Sequence, residues 1–166
     1  MELYADEWLK VPALHYRWFY DDEFAHMMMD YNNDPQASPA EQRRVGTKIA
    51  SMFRGWPEHL GATHETRAAV EASFTEYLAL MDKHFAIHPY FLGGDPSIAD
   101  WAMMGPLYAH LCRDPYSGAI VHRDAPAVCA WIERMHAPEA SLGADPTAPD
   151  IVPPKALELL RHLGSD

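Results

Sequence analysis

Apolar residues recur along this chain at intervals of three and four, and no segment alternates apolar with polar over the length of a strand. The cleanest stripe is Val70, Phe74, Tyr77, Leu78, Met81 and Phe85, the spacing of one helix face. A second stripe runs through Val45, Ile49, Met52 and Phe53, a third through Val128, Trp131, Ile132 and Met135. Ala156, Leu157, Leu160 and Leu163 make a last, shorter one. Residues 6 to 30 read as one long first helix that begins properly near Pro12, a residue suited to a first turn. Its aromatics Tyr16, Trp18, Phe19, Tyr20 and Phe24 do not share a stripe, so more than one face needs cover. Residues 98 to 112 are apolar on nearly every side, with Ile98, Trp101, Met103, Met104, Leu107, Tyr108 and Leu111. That is the pattern of a central helix wrapped by others.

Punctuation residues mark the ends of these segments. Asn32, Asn33, Asp34 and Pro35 close the first helix. Ser38, Pro39 and Glu41 spell a capping box for the second, which Gly55, Trp56 and Pro57 stop. Thr63 caps the third. Gly93, Gly94 and Pro96 hold the chain out of helix until Ser97, and Asp100 three residues on can reach back to the Ser97 N–H. Gly105-Pro106 then interrupts the central helix, where proline typically costs about 3 kcal/mol and kinks the axis. Residues 113 to 124 read as a loop, and residues 137 to 153 as a Pro-rich surface tail. A last helix spans about 154 to 163, with Gly164 as its stop. The expectation is an all-α bundle of about five to six helices around residues 97 to 112.

The stretch Leu92-Gly-Gly-Asp-Pro-Ser-Ile-Ala-Asp-Trp101 resembles the buried capping-box motif in the all-helical C-terminal domain of glutathione transferases. Asp124-Ala-Pro-Ala-Val-Cys-Ala-Trp-Ile-Glu-Arg-Met135 resembles the helix that follows in that domain. The likeness covers roughly residues 10 to 137 in helix order and is sharp in these two blocks. It implies a domain over residues 1–137, with residues 138–166 as tail and terminal helix packed on it. It also implies that the thioredoxin-like domain, which carries the glutathione site and the thiol-activating residue, lies outside this chain. The chain is then expected to hold no catalytic residue, to need no cofactor, and to meet glutathione only when that domain is supplied. In the family arrangement the first and central helices line the pocket for a hydrophobic co-substrate. Tyr16, Tyr20, Met104 and Tyr108 are the expected lining, with Arg17 and His15 at the rim, while Ser97 and Asp100 are structural. The aromatic face of the first helix would meet the thioredoxin-like domain. Left bare, it would be covered by another protein, by the tail or by a second copy in a homodimer. The other class of function is a stand-alone, non-catalytic helical module that binds a protein, as appendages of this family resembling those of translation factors and synthetases do.

Composition narrows the partners. A formal charge of −11 argues against nucleic acid and anionic membranes, which need basic patches. No apolar run approaches transmembrane length and the start is no signal peptide, so a cytoplasmic protein is expected. Cys112 and Cys129 fall inside apolar helical patterns and read as buried, reduced thiols. His84 and His88 share a helix face, as do His15, Asp22 and His26, but neither group comes with further ligands, and no metal site is expected. Asp21, Asp22 and Glu23 read as a solvated face.

Overall fold

The structure, a computed structural model, describes residue 5, residues 7 to 137 and residues 152 to 163. Among the described residues all regular structure is helical, apart from one antiparallel bridge between Tyr90 and Gly93. Residues 138 to 151 of the tail expected at 137 to 153, and the stop at Gly164, lie outside the described residues. In chain order the elements are α1 (Lys10–Phe19), α2 (Asp22–Asn33), α3 (Pro39–Phe53), the single turn α4 (Trp56–His59) and α5 (Arg67–Phe85). They continue with α6 (Ile98–Pro106), a wider π-helical turn (Leu107–Leu111), α7 (Pro115–Asp124), α8 (Pro126–His136) and α9 (Pro154–Leu163).

The long first helix is in fact two. The chain leaves helical geometry at Asp21, and the run Asp21-Asp22-Glu23 then places carboxylates at the first turn of α2, where they meet the positive end of its dipole. The acidic run is therefore a helix start. Asp21 also accepts the Tyr116 N–H at 2.9 Å, which ties the break to the head of α7. Helices α2 and α3 form a hairpin and pass close to each other at Gly46. A Cβ there would lie 2.7 Å from the Asp30 Cα, so only glycine fits. Gly46 and Ala50 are the buried positions of α3, while Met52, expected in the core, is 64% exposed. The Ser38 hydroxyl accepts the Glu41 N–H at 3.3 Å as expected, but the Glu41 carboxylate turns to Arg44.

Helix α5 matches its stripe: Val70, Phe74, Tyr77, Leu78, Met81 and Phe85 are all buried. It packs against α1, α7, α8 and α9. Thr63 takes the N–H groups of Glu65 and Thr66 and leads the chain into this helix. Helix α8 buries Val128, Trp131, Ile132 and Met135, and its first N–H groups are capped from outside, by Asp82 of α5. In α9 the buried face is Ala156 and Leu159, and Leu157 and Leu160 point outward. The segment read as a loop at 113 to 124 is helix α7. Asp114 precedes Pro115 there, a cap-then-proline start that the neighbouring glycine and serine disguise.

Helix α6 is buried along Ala99, Asp100, Met103 and, through the π-turn, Leu107 and Leu111. It is not wrapped on all sides, since Ile98 is 71% and Trp101 49% exposed. Pro106 does not end the helix. The turn after it widens until the Cys112 N–H reaches the Leu107 carbonyl at 2.7 Å, which relieves the crowding a proline brings. At the other end Ser97 and Asp100 close the expected capping box. The fully buried Asp100 carboxylate accepts the Ser97 N–H at 2.8 Å and the Ser97 hydroxyl at 2.7 Å. It also accepts the Phe91 N–H and the Trp131 indole N–H, each at 2.9 Å. The bridge of Tyr90 with Gly93, whose φ of 114° favours glycine, folds the loop so that Phe91 reaches it. One carboxylate thus joins the loop, α6 and α8.

Replacing Asp100 with Ala strands the buried Phe91 N–H and Trp131 indole N–H, and the half-buried Ser97 donors, at once. The expected loss is about 3 kcal/mol or more in urea unfolding, larger than for an exposed cap. An unchanged unfolding midpoint would show that these bonds do not hold the fold.

Candidate functional site

The small residues Gly105 and Ala109, with Pro106 between them, leave a shallow wall along the end of α6 and the π-turn. Opposite stands one face of α1, made of Ala13, Leu14, Arg17 and Trp18, one turn apart in pairs. Met29 of α2, Phe53 of α3 and Trp56 of α4 close the far side. Together with Lys10 and His110 they enclose a cleft of about 520 Å³, mostly apolar in its walls. That volume is in the range of small-molecule sites.

The polar groups of the cleft are few. Arg17 is buried and makes a two-pronged ion pair with buried Asp114, Nε and Nη2 each 2.7 Å from a carboxylate oxygen. This pair fixes α1 to the start of α7, and a forked geometry of this kind holds its partners in register. The Trp18 indole N–H and the His110 Nδ1 are buried without a protein hydrogen-bond partner. Burial, with Arg17 adding to it, pushes the His110 imidazole below its ordinary value, so it stays neutral near neutral pH.

The residues expected from sequence to line a pocket lie elsewhere. Tyr16 is buried on the opposite face of α1, against Phe74, Tyr20 and Tyr116, and burial drives its hydroxyl well above the usual range. Tyr20 stacks on Tyr116 with ring centres 4.1 Å apart, and its hydroxyl donates to Glu71 at 2.7 Å. Met104 is half-buried against the main core, and Tyr108 lies 4.3 Å from the His136 ring and under the Arg113 guanidinium. The structure brings Tyr16 and Tyr20 together but places none of the four among the described lining residues of the cleft. Of the expected rim, Arg17 does line it. His15 instead turns to Glu71, 2.9 Å away. The Glu71 carboxyl is raised by burial, but the bonds from His15 and Tyr20 outweigh that and hold it below its usual value. Helix phase separates the two sets: Tyr16 and Tyr20 are four apart on one face, while Leu14 and Trp18 are four apart on another.

The bare aromatic face expected on the first helix is also smaller than its composition suggests. Tyr16 and Trp18 are buried by the chain itself, whereas Phe19 and Tyr20 remain partly exposed. Among the histidine pairs, His84 bonds to the Tyr90 carbonyl at 3.2 Å, and His26 stands 4.0 Å from Asp22. Among the described residues the donors that do converge as a metal site would are Cys112, His122 and Cys129.

The family model for the glutathione S-transferase C-terminal domain matches residues 36–139 of this chain. The chain belongs to that family. No curated protein and no solved structure matches it. The glutathione S-transferase match takes in the Asp100 cap and the Phe53, Trp56 and Gly105–Pro106 walls of the cleft. The α1 wall and Met29 lie ahead of the matched segment. Among the described residues no helix is long and apolar enough to cross a membrane.

Two buried imidazoles give this domain a defined acid response. Burial lowers His84, as it does His110, below the ordinary value of 6.5. The unfolded chain therefore takes up these protons first. Stability is full above about pH 6.5 and falls as the pH drops below it toward the folded values. Melting temperature should decline between about pH 7 and about pH 5.5, and decline less steeply in His84→Gln and His110→Gln proteins. A flat profile, or the same slope in all three, would contradict the burial of these rings.

Proposed function

We propose that these residues form the apolar-ligand half of a glutathione S-transferase-like protein, with the cleft between α1 and α6 as the binding site. The carrying observation is the cleft itself: about 520 Å³ of mostly apolar space with an unpartnered indole N–H and an unpartnered imidazole nitrogen among its walls. Such a site suits a small apolar molecule with a hydrogen-bonding group, the ring body held by Leu14, Met29, Phe53 and Trp56. The outward strip of Ile98 and Trp101 on α6 runs on to Gly105 and Ala109 at the cleft. Contiguous exposed apolar surface marks an interaction face, and a thioredoxin-like domain docked there would bring bound glutathione to the ligand. The chain described supplies the pocket and the docking face, and the thiol chemistry comes from that domain.

A Cβ at Gly105 meets nothing within 4 Å, so the cleft can be filled from that position without strain. Gly105→Phe should weaken binding of an anilinonaphthalene dye by about tenfold or more while leaving the melting temperature level or higher, since glycine is a poor helix former. Tyr20→Leu should change dye affinity by no more than about twofold. Equal dye affinity in the wild-type and Gly105→Phe proteins would rule the cleft out as the site.

The 166-residue chain mixed with glutathione and an aromatic electrophile is expected to show only the uncatalysed rate. Saturable turnover by this chain would contradict the division of labour.

A further inference from the structure

Away from the cleft, three elements bring two thiols and an imidazole together. Cys112 closes the π-turn after α6, His122 lies in the last turn of α7, and Cys129 is on α8. The Cys112 Sγ is 3.6 Å from His122 Nε2, and the Cys129 Sγ is 3.4 Å from His122 Nδ1. One ligand atom from each residue can be chosen so that all lie within 4.8 Å of one another. Around a tetrahedral zinc ion, sulfur and nitrogen ligands stand about 3.5 Å apart. Binding therefore needs the side chains to turn until one His122 nitrogen faces both sulfurs, and to draw in by up to about 1 Å.

The backbone under these side chains is rigid. Each follows a fully buried core residue: Leu111, Val121 and Val128. Cys112 is held further by Gly118, where a Cβ would come within 2.6 Å of the Cys112 carbonyl oxygen. The cysteines are half-buried, and His122 is exposed, so an ion has a route in from solvent.

We propose that Cys112, His122 and Cys129 form a binding site for a thiophilic divalent cation, zinc(II) foremost, with its fourth position open to water or Glu133. Soft thiolates with an imidazole select such ions over magnesium or calcium. Glu133 stands one helical turn beyond Cys129, and its charge acts on both thiols, as that of Asp82 does on Cys129. Burial raises both thiols; the neighbouring Cys129 thiol adds to it at Cys112, which is pushed up to about 11, and the carboxylates contribute less. Without metal the pair is therefore protonated at neutral pH and a poor nucleophile, which disfavours thiol catalysis. The same carboxylates attract a cation. Binding releases the two thiol protons to solvent, so affinity rises with pH.

The test is titration of the reduced, chelator-treated 166-residue protein with cobalt(II), followed by displacement with zinc(II). One equivalent of cobalt should produce a thiolate charge-transfer band that zinc abolishes, with affinity rising between about pH 6 and about pH 8. Cys112→Ser and Cys129→Ser should each remove or sharply reduce the band. His122→Gln, at an exposed position that leaves the core intact, should weaken binding by about tenfold or more. The absence of a thiolate band in the reduced wild-type protein would overturn the assignment. So would a band that survives in both cysteine variants, or cobalt bound without thiolate absorption at the other histidines. A Cys112–Cys129 disulfide formed by mild oxidant, in a protein whose reduced form binds no metal, would overturn it in favour of a redox pair.

Discussion

A buried carboxylate surrounded by neutral donors governs the rest of this fold. Asp100 has no access to water, and its bonds come from two backbone N–H groups, a hydroxyl and an indole. Removing a carboxylate from water is costly unless its lone pairs are filled, so the loop at 90–97, α6 and α8 must all arrive together. Once they do, Trp131 stacks flat on Phe85 of α5, with ring centres 4.7 Å apart, and the core between α5, α6 and α8 is closed. The direction of α6 follows from this anchor at its start. Its far end and the π-turn after it carry Gly105, Pro106 and Ala109 to the place where α1 leaves a gap.

The opposite wall is held by separate means. Arg17 forks onto Asp114, Asp21 caps the head of α7, and His15 and Tyr20 share one oxygen of Glu71. These bonds clamp α1 between α5 and α7, so the face bearing Leu14 and Trp18 is presented to the cleft. The cleft is therefore a by-product of two rigid anchors and a run of small residues, and it needs no strained backbone of its own.

How much of this was legible depended on how many elements each feature requires. The α5 and α8 stripes and the Ser97–Asp100 box are written within single helices, and sequence spacing alone finds them. The close approach of α2 to α3 at Gly46 needs a second helix to be seen. Helix α7 was missed because its start signal, Asp114 before Pro115, is followed by Ser117 and Gly118, which are poor helix formers; both are buried against neighbours. Which residues of α1 face the cleft depends on helix phase relative to its partners, which residue type does not give: Tyr16 and Tyr20 turn to Phe74 and Glu71 of α5, Leu14 and Trp18 to the cleft. Cys112, His122 and Cys129 sit on three elements, and no spacing along the chain announces their meeting.

The central claim is that ligand enters between α1 and α6 and not at the tyrosine cluster. Amide and indole NMR shifts during titration with a small apolar ligand test it most directly. The account predicts that the Trp18 indole and the amides of Gly105, Ala109 and His110 move together and saturate at one affinity, while Tyr20 and Tyr116 stay still. Saturating shifts at Tyr16, Tyr20 and Tyr116, with Trp18 and Gly105 unmoved, would contradict it.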